Sequence, residues 1–306
     1  MDLAAESLLT LRDFIRWGAS RFNEAHLCFG HGTDNALDEA VSLVLHALHL
    51  PPDLPPSYFQ ARLTPIEREV VLALLRRRVE ERVPAAYLIQ RAWFAGLEFY
   101  LDDRVLVPRS PFAELIEKEL HPWVDPHQVG RVLDLCTGSG CIGIAVAVHL
   151  SHTEVDLTDL SEPALAVARR NVAEFGLDER VRVCDSDLFD ALAGERYDLI
   201  LSNPPYVAAA ELAALPLEYQ REPALGLAGG HDGLDLVRRI LRDARHHLEP
   251  EGTLIVEVGN SAAALERAYP EVPFLWLEFE RGGEGVFLLT AEQLDALSEV
   301  FDREVE

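Results

Sequence analysis

The sequence predicts an α/β protein. Its larger part is a seven-stranded, mostly parallel sheet with helices on both faces and a terminal antiparallel hairpin. A small helical domain and a β-hairpin linker precede it. Three observations carry this. From residue 112 onward, short apolar strands alternate with segments of helical period. Before residue 90 the period is helical alone. Between them lies a stretch rich in aromatic and β-branched residues. The boundaries fall at 1–90 for the helical domain, 91–108 for the hairpin linker and 109–306 for the sheet domain.

Residues 2–50 read as helices. Leu8, Leu11, Ile15 and Ala19 recur at helical spacing, as do Ala40, Val41, Val44, Leu45 and Leu48. Asp34 or Asn35 is placed to cap the second helix. Pro51, Pro52, Pro55 and Pro56 break the pattern. Thr64-Pro-Ile-Glu67 has capping-box spacing with proline at the first helical position, and opens a helix to about Arg82. Trp93–Tyr100 and Arg104–Val107 read as a hairpin with its turn near Leu101–Asp103, ended by Pro108 and Pro111. The later strands fall at about 130–135, 153–159, 180–185, 197–202, 252–258, 273–279 and 285–290. Helices fit at 112–121, 140–150, 162–175, 234–247 and 261–268. The glycine-rich segment Glu280–Glu284 joins the last two strands as an antiparallel hairpin.

The 306 residues carry 52 Asp and Glu against 27 Lys and Arg, a net charge of −25. Residues 1–107 hold 15 acids and 11 bases, and residues 108–306 hold 37 and 16, so the sheet domain is −21. Such a surface disfavours broad binding to nucleic acid or anionic membrane and suits a basic partner. Lys118 is the single lysine. The four cysteines form no CxxC, and the eleven histidines show no HExxH and no pairing at metal spacing, so no metal is expected. The N-terminus lacks the basic and apolar regions of a signal peptide, and the longest apolar run, Cys141–Val148, is too short to span a bilayer. A cytoplasmic protein is expected.

Arg131-Val-Leu-Asp134-Leu-Cys-Thr-Gly138-Ser-Gly140-Cys-Ile-Gly143 reads as a strand, a tight turn and a helix. The glycines let the backbone approach a ligand, and the helix opening at Cys141 offers a partly positive N-terminus. The next strand ends at Asp159, 21 residues after Gly138, where a carboxylate can bind ribose hydroxyls. A dinucleotide would fit this spelling. Asp134, however, is expected to face the site, where it would repel a pyrophosphate and suit a cation. S-adenosylmethionine (SAM), a sulfonium with an amino group and no phosphate, matches better. The turn residues Asp134, Thr137, Gly138, Ser139, Gly140 and Cys141, with Asp159, are the expected cofactor contacts. The third strand ends Asp185-Ser-Asp187-Leu-Phe189; Asp187 with Leu188 would hold the adenine, and Asp185 competes for the role.

The fourth strand runs into Asn203-Pro204-Pro205-Tyr206. Two prolines stiffen the chain, so the carbonyls stand as acceptors on a rigid loop. The Asn203 carboxamide oxygen and the Pro204 carbonyl can each accept one hydrogen of a planar NH2 group, while Tyr206 packs on its plane. Held this way, the nitrogen lone pair points at a methyl donor. Catalysis would be positioning and electrostatics, with no strong general base.

With these motifs and Glu222-Pro-Ala-Leu-Gly-Leu-Ala-Gly-Gly-His-Asp-Gly233, the sequence resembles the class I, Rossmann-like SAM-dependent methyltransferases. More narrowly it resembles the HemK/Prm family of protein-(glutamine-N5) methyltransferases, over nearly the whole chain. The resemblance implies that the small domain recognises a protein substrate and that S-adenosylhomocysteine is the product. It also implies that Asn203, Pro204, Pro205 and Tyr206 bind the glutamine, Asn203 touching the cofactor as well. One branch of the family modifies release factors and usually reads PRPDTE after the hairpin. Here the segment is Val107-Pro-Arg-Ser-Pro-Phe-Ala-Glu114. With Phe29-Gly-His-Gly-Thr-Asp-Asn-Ala-Leu-Asp-Glu39, it looks like the branch that modifies the third large-subunit ribosomal protein (L-three), a basic partner. Arg109 would orient the site or bind a carboxylate. Adenine-N6 methyltransferases share Asn-Pro-Pro-Tyr, but they reach a flipped or single-stranded base and normally carry basic surface. A SAM-binding protein without activity is a further alternative, against which the intact Asn203–Tyr206 set argues.

Overall fold

The computed structural model describes residues 7–303. The outer ends of the predicted boundaries, 1–6 and 304–306, lie outside the described residues, as does the start of the helical stretch read from residue 2. The chain divides into two compact units. One runs to Ala92 and takes in Pro216–Arg221; the other comprises Trp93–Leu215 and the chain from Glu222.

The first unit is helical: α1 (Leu11–Glu24), α2 (Ala36–Ala47), α3 (Pro65–Glu80) and α4 (Ala85–Ile89). Thr10 and Asp13 close a capping box on α1, and Thr64 and Glu67 close the predicted one on α3. Asn35, not Asp34, caps α2, accepting from the Leu37 and Asp38 N–H groups at 3.0 and 2.9 Å. Phe14, Phe22, Leu43, Val44, Val71 and Leu75 fill the core between these helices. Inside it, Arg78 is fully buried. It donates to Glu39 at 2.7 Å, to the Cys28 carbonyl at 3.1 Å and to Glu218, which pins Pro216–Arg221 to this unit.

The hairpin is β1 (Arg91–Phe94) and β2 (Leu97–Tyr100). Its turn is therefore Ala95-Gly96, not the predicted Leu101–Asp103, and Arg104–Val107 is not a strand. Ala95 and Gly96 have φ of 48° and 75°, the paired left-handed conformation of a two-residue hairpin turn. Asp102 instead folds back on Arg104, accepting from its backbone N–H at 3.2 Å and its guanidinium at 2.7 and 2.6 Å.

In the second unit α5 (Phe112–Glu117) leads to β3 (Arg131–Leu135), α6 (Cys141–His149), β4 (Glu154–Asp159), α7 (Glu162–Phe175), β5 (Val181–Asp185) and β6 (Tyr197–Ser202). Then come α8 (Ala209–Leu212), α9 (Asp235–Asp243), β7 (Leu248–Glu257), α10 (Ala262–Ala268), β8 (Leu275–Trp276) and β9 (Val286–Thr290). Two short helices not expected from the sequence, α11 (Ala291–Ala296) and α12 (Ser298–Phe301), end the described chain. The seven strands take the order β5-β4-β3-β6-β7-β9-β8. The pairs among β3–β7 are parallel, and β9 is antiparallel to both β7 and β8. Successive strand residues feed opposite cores. Val132, Leu199 and Ile255 pack under α5–α7, whereas Leu133, Ile200 and Leu254 pack under α9. Both faces are thus buried, as parallel sheets require. The predicted sheet with a terminal antiparallel hairpin is what forms, though β8 shrinks to two residues.

Candidate active site

The chain lays down β3, β4 and β5 to one side, then returns to place β6 on the other side of β3. Leu135 and Ser202, the last residues of β3 and β6, lie opposite each other, and the Ser202 hydroxyl donates to the Leu135 carbonyl at 3.0 Å. The loops leaving these two ends diverge, and such a switch point is where doubly wound sheets bind ligands. A cavity of about 370 Å³ opens there.

The glycine turn forms one wall. Gly138 and Gly140 take φ of 57° and 81°, open to glycine at little strain. Thr137, Gly138, Ser139 and Cys141 line the cavity. Asn171 of α7 holds the turn, donating to the Ser139 carbonyl at 2.8 Å. Burial pushes the Cys141 thiol up to about 12, so it stays protonated. Asp159, at the end of β4, also lines the cavity. Its two oxygens accept from the Gly138 and Ser161 N–H groups at 2.9 and 2.8 Å, so it braces the turn it faces. Burial raises its pKa against the pull of those donors.

Two expected contacts, Asp134 and Gly140, do not line the cavity. Gly140 is the N-cap of α6, and a Cβ there would meet Ile144, Leu157 and Ala168 within about 3.3 Å, all core atoms. Asp134 was expected to face the site but is fully buried beneath the turn. Its Oδ2 accepts from the Thr137 hydroxyl at 2.5 Å and the Gly143 N–H at 2.9 Å. The helix start and Thr137 draw the carboxylate inward. Its Oδ1 is buried with no partner among the described residues, and burial pushes its pKa up to about 7.

Asp187 and Leu188 line the far wall, with Arg239 paired to Asp187 at 2.9 Å. Asp185 pairs with Asp159 across the strands and is not among the lining residues, whereas Asp187 is.

Asn203, Pro204, Pro205 and Tyr206, leaving the end of β6, also line the cavity. The Asn203 carboxamide makes no hydrogen bond among the described residues. Tyr206 is held on all sides. Its hydroxyl donates to Glu257 at 3.0 Å, and its carbonyl accepts from Ser261 at 2.9 Å. A Cβ on Gly259 would come within 2.6 Å of its ring, and one on Gly233 within 2.2 Å of its carbonyl. Gly229 and Gly233 of the Glu222–Gly233 motif thus pack against the Tyr206 backbone. Arg109 lines the cavity and forms a two-pronged pair with Glu222 at 2.6 and 2.7 Å. That carboxylate also accepts from the Val107 N–H at 3.0 Å.

Glu257, Ser110 and the role of Glu222 escaped the sequence reading. Glu257 ends β7, is buried, and also accepts from the Ser110 hydroxyl at 2.5 Å; burial raises its pKa. A lone acid in the apolar run Leu254-Ile-Val-Glu-Val258 is the one signal that could have found it.

The lining suits a ligand rich in hydroxyl and amino groups. Its carboxylates face inward, while Arg104, Arg109 and Arg239 are each committed to an acid. A pyrophosphate would meet acceptors here. This sheet, with a carboxylate-lined cavity at its switch point, defines a class I methyltransferase, and the family description "Methyltransferase small domain" matches residues 117–215. A "Ribosomal protein uL3 glutamine methyltransferase" of Xanthomonas campestris is 57% identical over 96% of this chain and 96% of its own. Proteins of the same description from Xylella fastidiosa (57% identical, 96% of this chain, 94% of theirs) and Bordetella pertussis (52%, 95% and 98%) match as fully. The chain belongs to the ribosomal protein uL3 glutamine methyltransferase family.

Proposed function

We propose that this enzyme methylates the side-chain amide nitrogen (N5) of a glutamine in ribosomal protein uL3, using SAM. The observation that carries the chemistry is the unpartnered Asn203 carboxamide on a proline-stiffened loop that lines the same cavity as the glycine turn. Support for the substrate comes from full-length similarity to proteins named for that reaction.

Thr137, Gly138, Ser139, Cys141, Asp159, Asp187 and Leu188 would hold SAM. Asp159 would take the ribose hydroxyls, and Asp187 with Leu188 the adenine. Asp134, with its orphaned oxygen, would favour the cationic amino end from beneath the turn. Bound there, SAM supplies an electrophilic methyl group on sulfur and leaves as S-adenosylhomocysteine. The Asn203 oxygen and the Pro204 carbonyl would each accept one N–H of the glutamine amide, with Pro205 fixing the loop and Tyr206 covering the amide plane. An amide nitrogen shares its lone pair with its carbonyl. Fixing both hydrogens aims what nucleophilicity remains, which is a positioning and electrostatic effect. The amide proton is lost to solvent after the C–N bond forms, so no strong base is needed. The leaving group is a neutral sulfide, so no Lewis acid is needed either, and we assign no metal. Arg109, locked to Glu222, shapes the cavity mouth.

The helical unit would recognise the protein substrate. The −21 charge of residues 108–306 supports a basic protein partner and argues against direct nucleic-acid contact. Among the described residues no helix is long and apolar enough to cross a membrane, and a cytoplasmic site of action fits a ribosomal-protein substrate. The test is to add the purified protein and tritiated SAM to a lysate lacking this enzyme. Label should enter uL3 as an N5-methylglutamine. Label in a release factor or in nucleic acid instead would overturn the assignment.

A further inference from the structure

A second depression, an open groove of about 760 Å³, adjoins the catalytic cavity and shares Pro108, Arg109, Ser110, Tyr206 and Glu257 with it. It runs from Tyr206 past the β1–β2 hairpin to the turn at Arg281–Glu284. A glutamine inside a protein cannot reach Asn203 without its flanking chain leaving the cavity mouth. The groove is continuous with the Tyr206 end of that mouth.

Its walls are built. Glu114 of α5 accepts from the Glu280 and Arg281 N–H groups at 3.0 and 2.9 Å and from the Lys118 ammonium at 2.9 Å. Those donors hold its carboxyl down at about 2. A Cβ on Gly283 would meet Pro111 at 2.4 Å, so the turn packs tightly on the start of α5. The charges that remain are one-sided. Arg109 is spent on Glu222, and Arg281 on Glu117. Glu284 is exposed and has no cation partner among the described residues. Trp93, an aromatic that would normally be covered, leaves 49% of its surface open in the same groove. A flat aromatic face and an unpaired carboxylate are what an arginine or lysine side chain binds.

We propose that this groove takes the polypeptide on one side of the target glutamine, and that Trp93 and Glu284 receive its basic side chains. The proposal rests on the uL3 reading above: a protein that binds ribosomal RNA carries basic segments, which an acidic groove with an open aromatic face would receive.

The test uses the full chain, its Trp93→Ala, Trp93→Tyr and Glu284→Lys variants, and RNA-free uL3 as substrate. Trp93→Ala and Glu284→Lys should each raise the KM for uL3 about five- to tenfold, the scale of one cation–π contact or one exposed ion pair turned repulsive. Trp93→Tyr, which keeps an aromatic face, should recover most of the loss. SAM affinity by isothermal titration should stay at the wild-type value, which also reports a folded cavity. Glu284 sits in an exposed glycine-rich turn, so its variant tests the idea even if Trp93→Ala folds poorly. A KM within about twofold of wild type for both variants overturns the groove assignment alone. A wild-type enzyme that does not methylate uL3 overturns the functional reading and the groove with it.

Discussion

Asn203 follows the last residue of β6 and precedes two prolines, so its backbone is fixed while its carboxamide stays free for a ligand. Asn203→Ala should therefore lower turnover at least about a hundredfold, the loss typical of one preorganised polar group at a reacting centre. SAM should still bind by isothermal titration; retained turnover would remove the acceptor mechanism. Asp134 carries a pH signature. Its carboxyl is pushed up to about 7 in the folded chain, above its ordinary 3.8. Between those values the folded protein holds a proton that the unfolded chain has released, so stability falls as pH rises through the window. A cation near the orphaned Oδ1 favours the carboxylate. SAM affinity should then rise several-fold from about pH 6 to about pH 7.5, as the ionised fraction grows. Asp134→Asn should bind more weakly with a flat profile; a flat wild-type profile would detach Asp134 from cofactor binding. Asn203–Tyr206 and the glycine turn were legible because each is a contiguous run whose spelling dictates its shape. Glu257 and Ser110 were not, because they meet across 147 positions and only the fold joins them.

At the scale of elements, legibility followed local chemistry. The capping box at Thr64 and the cap at Asn35 are short-range devices, and both formed where the spacing placed them. α7 matched its predicted bounds because Ser161 caps it, Pro163 opens it and Gly176 ends it. Leu101-Asp-Asp103 is a credible turn by composition, yet the hairpin turns at Ala95-Gly96. Ala95-Gly96 won because two consecutive left-handed residues fit the strand twist. Helix α5 stops at Glu117, short of the predicted residue 121, because Glu119 and Leu120 turn to positive φ, which no apolar periodicity announces. Arg78 is a further case. It lies among arginines on α3, yet it is fully buried against Glu39 and Glu218. Only the return of Pro216–Arg221 to the helical unit, a long-range event, supplies the second acid.

At the scale of the whole molecule the charge is the feature to test. The net of −25 is carried mostly by residues 108–306, and the single lysine is spent inside that unit, bridging Glu114 and Glu280 at 2.9 and 3.0 Å. Where the cavity and groove present cations, they present them already paired, so the field at the site is that of the acids. Such a field favours the approach of a basic protein, in keeping with the proposed uL3 substrate. The long-range part of the attraction is screened once the Debye length falls from about 10 Å at 0.1 M salt towards about 3 Å at 1 M. The KM for RNA-free uL3 should therefore rise several-fold between low and high salt while kcat changes little, since the contacts at Asn203 lie inside the cavity. Replacing Glu284 alone should lower the KM at no salt concentration and should leave most of the salt slope in place, because one charge in −25 is a small share of the field. A salt-independent KM would take the molecular charge out of substrate capture and leave recognition to the groove and the helical unit.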